Sequence, residues 1–221
     1  MVDAIFLDFY GTVVWEDGEA IDIICKKIHE SGNAENISDI GYYWWKEFQT
    51  LCTNSYGNNF QTQRILEKIS LERTIKNFSS SEDACNLSNW MFTFWVKPNI
   101  FVDSKEFFEK CKLPIHIVSN IDRADVLEAI EYHNIKPTSV FTSEDAKSYK
   151  PRKEIFEMAL KETGLEPNRV LHVGDSLNSD VYGGNALGIN TIWLNRNNRE
   201  VPEGIISIKN LLEIFGTEFY I

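Results

Sequence analysis

The chain has 221 residues, 43% of them hydrophobic and 25% charged, enough to build one large or two small folded domains and inconsistent with a disordered chain. Its 22 Lys and Arg against 33 Asp and Glu leave a formal charge of −11, so no basic face for nucleic acid is expected, and an anionic substrate would have to be met by a local positive group. The four cysteines (Cys25, Cys52, Cys85, Cys111) form no C-x-x-C pair, which argues against a zinc site, and no apolar run approaches the ~18 residues of a membrane span.

The first element is the apolar run Ala4–Leu7, which reads as a short buried strand ending in Asp8 and the small-residue turn Gly11-Thr12. No basic, then apolar, leader precedes it, so no secretory signal is read, and a reduced cytoplasmic setting with the cysteines as small core residues is expected. From about residue 16 to 96 the periodicity is helical. Ala20, Ile24 and Ile28 make one stripe, and Trp44, Phe48 and Leu51 a second. Leu66, Ile69, Ile75 and Phe78 make a third, and Ala84, Leu87, Met91 and Trp95 a fourth. Turn-rich breaks fall at Ser31-Gly32-Asn33 and at 54–59. Short apolar runs return at Ile115–Val118, Val140–Phe141, Val170–Val173 and Thr191–Leu194. Helical stripes separate them, on Ala124–His133 and on Lys153–Thr163, the latter closed by Gly164 as a C-cap.

Strands alternating with helices predict an α/β fold with a doubly wound parallel sheet. The helical stretch predicts a four-helix insertion, so residues 1–15 and 97–221 form the α/β core and 16–96 the insertion, joined near Trp15–Gly18 and Lys97–Asn99. Most of the six tryptophans fall in or beside the insertion, where packing between helices is their expected role.

Ligands of open α/β sheets bind beyond the carboxyl ends of the strands, and four polar clusters sit there. In Asp8-Phe9-Tyr10-Gly11-Thr12 a strand-end carboxylate can act as a nucleophile, with Gly11 admitting an anion close to the backbone and Thr12 donating a hydrogen bond; it can also merely cap a turn. Ser119-Asn120 offers a hydroxyl and an amide for phosphate or carboxylate oxygens, or ordinary turn chemistry. Lys150-Pro151 opens a helix, with proline near its first position and a lysine able to reach over the sheet and balance an acid; a solvated lysine is the bland alternative. Finally, Asp175 and Asp180 lie in a loop after a strand, and hard oxygen ligands with few protein donors suit Mg²⁺, although Asp180 could serve only as a helix N-cap.

The four clusters, in this order, resemble the haloacid dehalogenase superfamily, over residues 4–14 and about 100–195, with 16–96 in the place of its helical cap. The resemblance implies that Asp8 is the nucleophile, that Ser119 and Asn120 bind the transferred group, and that Lys150 steadies the negative charge. It further implies that Asp8, Asp175, Asp180 and the backbone carbonyl of Tyr10 hold Mg²⁺. Family phosphatases carry a second Asp at position 10 to protonate the leaving group. A tyrosine with a phenol pKa of about 10 is a poor substitute, and its presence there should slow simple phosphomonoester hydrolysis by something like 10²–10⁴-fold. The branch that removes halide from 2-haloacids places tyrosine at that position. Its metal-free pattern Ser-Ser-Asn-Ala-Trp-Asp is broken here by Asp175, Leu177 and Ser179, and no arginine precedes Arg64 to grip a substrate carboxylate.

These features predict a Mg²⁺-dependent phosphate-ester hydrolase working through an aspartyl-phosphate on Asp8, acting on a phosphorylated small molecule, slow or restricted to good leaving groups. The alternatives are a metal-independent 2-haloacid dehalogenase and a non-catalytic ligand- or partner-binding homologue. Trp15, Tyr42, Tyr43, Trp44 and Trp45 are the aromatic candidates for a cleft-facing role.

Overall fold

The computed structural model describes residues 1–16 and 18–220. Among these residues six parallel strands form one sheet: β1 (Ala4–Leu7), β2 (Ile115–Ser119), β3 (Ser139–Thr142), β4 (Val170–Gly174), β5 (Asn190–Leu194) and β6 (Ser207–Ile208), in the order β3-β2-β1-β4-β5-β6. β1 therefore lies between β2 and β4, with Leu7 opposite Ile117 on one side and Val173 on the other. The reversal of winding at β1 is the switch point at which α/β sheets bind ligands.

Both faces of the sheet are covered, which is why its central strands are predominantly apolar on both faces rather than alternating. Ile5, Leu7, Ile117, Leu171 and Val173 join one buried cluster, while Phe6, Val118 and Val170 join a second on the opposite face. Helix α8 (Glu154–Thr163) supplies Ile155, Phe156 and Ala159 to the second cluster. The first takes Phe107 from α5 (Val102–Lys110) and Val126 and Ala129 from α6 (Arg123–His133). Each of the larger of these side chains (valine, isoleucine, phenylalanine), fully buried, contributes about 1.5–3 kcal/mol.

Between β1 and α5 the chain forms α1 (Gly18–Ser31), α2 (Ile37–Asn54), α3 (Gln63–Asn77) and α4 (Ala84–Val96). The expected stripes are their inner faces: Ala20, Ile24 and Ile28 are buried on α1, and Ala84, Leu87, Met91 and Trp95 on α4. Phe48, Leu51, Ile69 and Phe78 are only partly buried. The apolar core of the insertion is continuous with the first sheet cluster. The first junction, at 15–18, includes Asp17, which lies outside the described residues.

Several local expectations shift. Helices α5 and α7 (Ser143–Ala146) and the short edge strand β6 carry too little apolar pattern to stand out in the sequence. α8 begins at Glu154, so Pro151 lies before the helix rather than at its first position, while Gly164 does close it in the left-handed conformation (φ +69°). Of the cysteines only Cys25 is buried; Cys52 and Cys111 are half-buried and Cys85 is exposed, and all four are free thiols. Among the described residues no helix is long and apolar enough to cross a membrane.

Candidate active site

Asp8 follows the last residue of β1, and its backbone N–H donates to Val173 O (2.9 Å), so the pairing with β4 runs one residue past the strand. This holds a carboxylate rigidly at the switch point, with only 6% of the residue exposed. Lys150, 5% exposed, fills the space beside it. Its ammonium uses all three protons, donating to Asp8 Oδ1 (2.7 Å), Asp180 Oδ1 (2.6 Å) and Val118 O (2.8 Å). The solvated-lysine reading is thereby excluded.

Asp180 sits inside a turn of π-helix (Leu177–Tyr182) whose N-cap is Ser176, so it is not the helix cap. Its Oδ1 also accepts from His172 Nε2 (3.0 Å), and its Oδ2 accepts the Ser176 N–H (3.0 Å). Burial alone would raise its pKa, but Lys150 and His172 outweigh burial and hold Asp180 well below the usual carboxylate range. Burial likewise opposes the charge on Lys150, yet Asp180 and Asp8 together push its pKa up, so the ammonium persists.

Asp175 has the opposite balance. Burial, then the neighbouring Asp8 and Asp180, push its carboxyl well above the ordinary value. Among the described residues its one side-chain donor is Thr12 Oγ1, at a long 3.4 Å. Asp8 is also raised, by burial first, with Lys150 opposing and Asp180 adding to it. Oxygens of Asp8, Asp175 and Asp180 lie within 4.8 Å of one another. Three carboxylates thus face each other across a single ammonium, and this oxygen-only set fits a hard divalent cation that would relieve the repulsion on Asp8 and Asp175. Asp180, with both oxygens already engaged, is the least available of the three.

The backbone makes room for this cluster at two glycines. Gly11 has φ +81°, and a Cβ there would meet the Asp175 carboxylate at 2.7 Å. A Cβ on Gly174 would meet the Asp180 carboxyl carbon at 2.2 Å.

Other expected site residues are placed differently. Ser119 is buried at the end of β2. Asn120 turns its amide onto the backbone of Lys150, accepting from Lys150 N (2.6 Å) and donating to Lys150 O (3.1 Å); it braces the lysine loop instead of offering the amide to a ligand. Tyr10 donates its hydroxyl to Trp95 O at the end of α4, so the phenol expected beside a leaving group is tied to the insertion. Trp44 is buried, donating to Ser70 Oγ (3.0 Å), whereas Trp15, Tyr42 and Trp45 are exposed and Tyr43 packs edge-on to Phe78.

Four supporting residues were missed in the sequence. His172, fully buried, could have been found as the polar residue between Leu171 and Val173 in a buried strand. Trp193 donates to Asp175 O (2.8 Å), Arg196 donates to Thr12 O (2.8 Å) while gripping Asp103, and Asp122 accepts backbone N–H groups of α3. These last three carry no spacing signal, because their partners lie far away in the chain.

The family model of haloacid dehalogenase-like hydrolases matches residues 2–188. This chain belongs to that family. Among curated relatives, pyrimidine 5'-nucleotidase YjjG of Escherichia coli (strain K12) is 48% identical over 64 residues, an alignment covering 28% of this chain and 28% of that protein. The chain thus matches well under two thirds of that relative's own length. Among solved structures, the magnesium-bound HAD-hydrolase YfnB of Bacillus subtilis superposes with a TM-score of 0.77 at 18% identity, covering 97% of each chain. The L-2-haloacid dehalogenase of Xanthobacter autotrophicus superposes with a TM-score of 0.75 at 14% identity, again covering 97% of each. At these identities the structural likeness speaks for the fold, which is that of a haloacid dehalogenase-like hydrolase across nearly the whole chain.

Proposed function

We propose that this hydrolase is a Mg²⁺-dependent phosphate-ester hydrolase, with residues 1–15 and 97–221 as the hydrolytic core, 16–96 as its cap, and a phosphorylated small molecule as substrate. The observation that carries the reading is the trio Asp8, Asp175 and Asp180, with oxygens mutually within 4.8 Å and one ammonium among them. A site that only paired Asp8 with Lys150 would have no use for Asp175, whose carboxyl is disfavoured as an anion where it stands.

In this reading Asp8, Asp175, Asp180 and the Tyr10 carbonyl would hold the cation. The bound ion would supply charge neutralisation for the phosphoryl oxygens. Asp8 Oδ attacks phosphorus, forming an aspartyl-phosphate as the bond to the leaving oxygen breaks. Water then attacks phosphorus, releasing inorganic phosphate and regenerating the carboxylate. Lys150 remains charged throughout and stabilises the negative charge that builds on the transferred group, and Thr12 and Ser119 offer it hydroxyls. The Tyr10 hydroxyl is committed to Trp95, so an alkoxide finds no acid at position 10, and substrates whose leaving group needs no proton are favoured. Acyl and aryl phosphates fit this best. The name of the Escherichia coli relative adds nucleoside monophosphates to the panel worth assaying.

The test is phosphate release from acetyl phosphate and p-nitrophenyl phosphate with Mg²⁺. Activity should disappear in EDTA and in Asp8→Asn. Metal-loaded protein that releases no phosphate from any of these esters, or an Asp8→Asn variant with full activity, would sink the reading.

A second reading rests on Tyr10 and on the Lys150–Asp8 pair, which balances the nucleophile's charge without a metal. In a 2-haloacid dehalogenase Asp8 would attack carbon, expel halide without any need for a proton, and yield an ester for water to cleave. Chloride release from 2-chloropropionate in EDTA separates the two readings.

A further inference from the structure

Resting on the hydrolytic site proposed above, we infer that Asp122 is a positioning residue that couples docking of the cap segment 56–64 to the placement of Lys150. Asp122 follows Ser119 by three residues, and its carboxylate is buried. Its Oδ1 accepts from Gln63 N (2.7 Å) and its Oδ2 from Arg64 N (3.0 Å). These are the first two amides of α3, whose own N-cap Thr62 makes no side-chain capping bond. The core thus supplies the cap that the helix lacks, with an anion at the positive end of its dipole.

The grip is widened one turn along α6. Asp125, 3% exposed at its side chain, holds the Arg64 guanidinium at both oxygens, Nε at 2.8 Å and Nη2 at 2.5 Å. On the other side of the segment, Tyr149 donates its hydroxyl to Gln61 O (2.8 Å) and stacks on Phe60 with ring centroids 5.2 Å apart. Gly57 N donates to Lys147 O (2.8 Å). Tyr149 is the residue immediately before Lys150.

Segment 56–64 therefore holds two core loops at once, the one after β2 through Asp122 and the one bearing Lys150 through Tyr149. The loops are themselves cross-braced, because Asn120 binds both the N–H and the carbonyl of Lys150. Docking of the segment fixes this frame, and the frame sets the ammonium between Asp8 and Asp180. Release of the segment loosens both loops together, so the charge arrangement for phosphoryl transfer is complete only with the cap engaged.

The test uses the full chain and three variants: Asp122→Ala, Asp122→Asn and Tyr149→Phe. Amide hydrogen exchange, read without substrate, should speed up in Asp122→Ala at Gln63 and Arg64 and, across the brace, at Lys150. Asp122→Asn keeps one acceptor oxygen and should restore part of the protection. Tyr149→Phe removes a single hydroxyl and should also expose the Lys150 amide. In phosphate release, kcat should fall by about 10–100-fold in Asp122→Ala with KM little changed, the pattern of misplaced chemistry and not of lost binding. Wild-type protection at Lys150 in both Asp122→Ala and Tyr149→Phe would overturn the inference, as would an unchanged kcat. The exchange measurement needs no turnover, so a chain inactive on every phosphate ester fails the functional reading while the coupling is still decided.

Discussion

The hydroxyl of Tyr10 donates to the carbonyl oxygen of Trp95, joining the loop that follows Asp8 to the last turn of α4. The side chain is thus a tether between core and insertion. Tyr10→Phe should lower stability by about 0.5–1.5 kcal/mol in a urea melt while leaving kcat on aryl phosphates within a few-fold of wild type. Tyr10→Asp should raise turnover on alkyl phosphates, by as much as the ~10²–10⁴-fold credited to a general acid. Unchanged or lower turnover would mean that the missing acid is not what limits the enzyme.

Gly11 lets Asp175 approach as closely as it does. Gly11→Ala forces a Cβ into the carboxylate at 2.7 Å and holds alanine at φ +81°. We expect a loss of about 1–3 kcal/mol by chemical denaturation and weaker Mg²⁺ binding by calorimetry. Gly57 also has a positive φ (+57°), but its Cβ would meet open space, so Gly57→Ala should carry the conformational cost without the effect on the metal.

Among the described residues, Lys150 is the sole ammonium donating to Asp8 and Asp180. Lys150→Met removes it and leaves two buried carboxylates facing each other, at a cost of about 3–5 kcal/mol in stability. Adding Asp180→Asn should recover part of that loss without recovering activity. Denaturation curves of the single and double variants check this, and additive losses would contradict it.

Cys25 provides a pH signature far from the site. Burial, with Asp22 nearby, pushes its thiol from 9.0 to about 11. Between those values the unfolded chain has lost a proton that the folded chain keeps, so the stability present below pH 9 is lost as pH rises to about 11. The full loss amounts to at most about 3 kcal/mol, and the pH dependence should flatten in Cys25→Ala, which removes the group. Under mild alkylation the exposed Cys85 should react first and Cys25 last.

The fold is legible in the sequence where physics acts locally. Ala4–Leu7 was visible as a strand because both its faces are buried, and the stripes of α1 and α4 were visible because one side of each helix meets the core. Asp8 stood out as a charge ending an apolar run, Asp175 and Asp180 as two acids in the loop after a strand, and Lys150 as a lysine just ahead of Pro151 where a helix was expected. The parts that escaped depend on contacts between distant residues. Nothing near Asn120 announces that its amide will bind the backbone of residue 150, and nothing near Asp122 announces that it will cap α3. Tyr10 was legible as a departure from the family pattern, but the destination of its hydroxyl was not.

The place of β1 between β2 and β4 also sets an order of events on the ribosome. The strand that carries Asp8 is made before both of its hydrogen-bonding neighbours, which are encoded at 115–119 and 170–174. At ordinary elongation speeds the newborn strand waits roughly 5–20 s with both edges unsatisfied and up to roughly 30 s with one, while the helices encoded just behind it can already pack among themselves. Such an edge invites pairing with a neighbouring nascent chain. The position that gives the carboxylate its rigidity in the finished protein is, during synthesis, an edge left open until its neighbours are made.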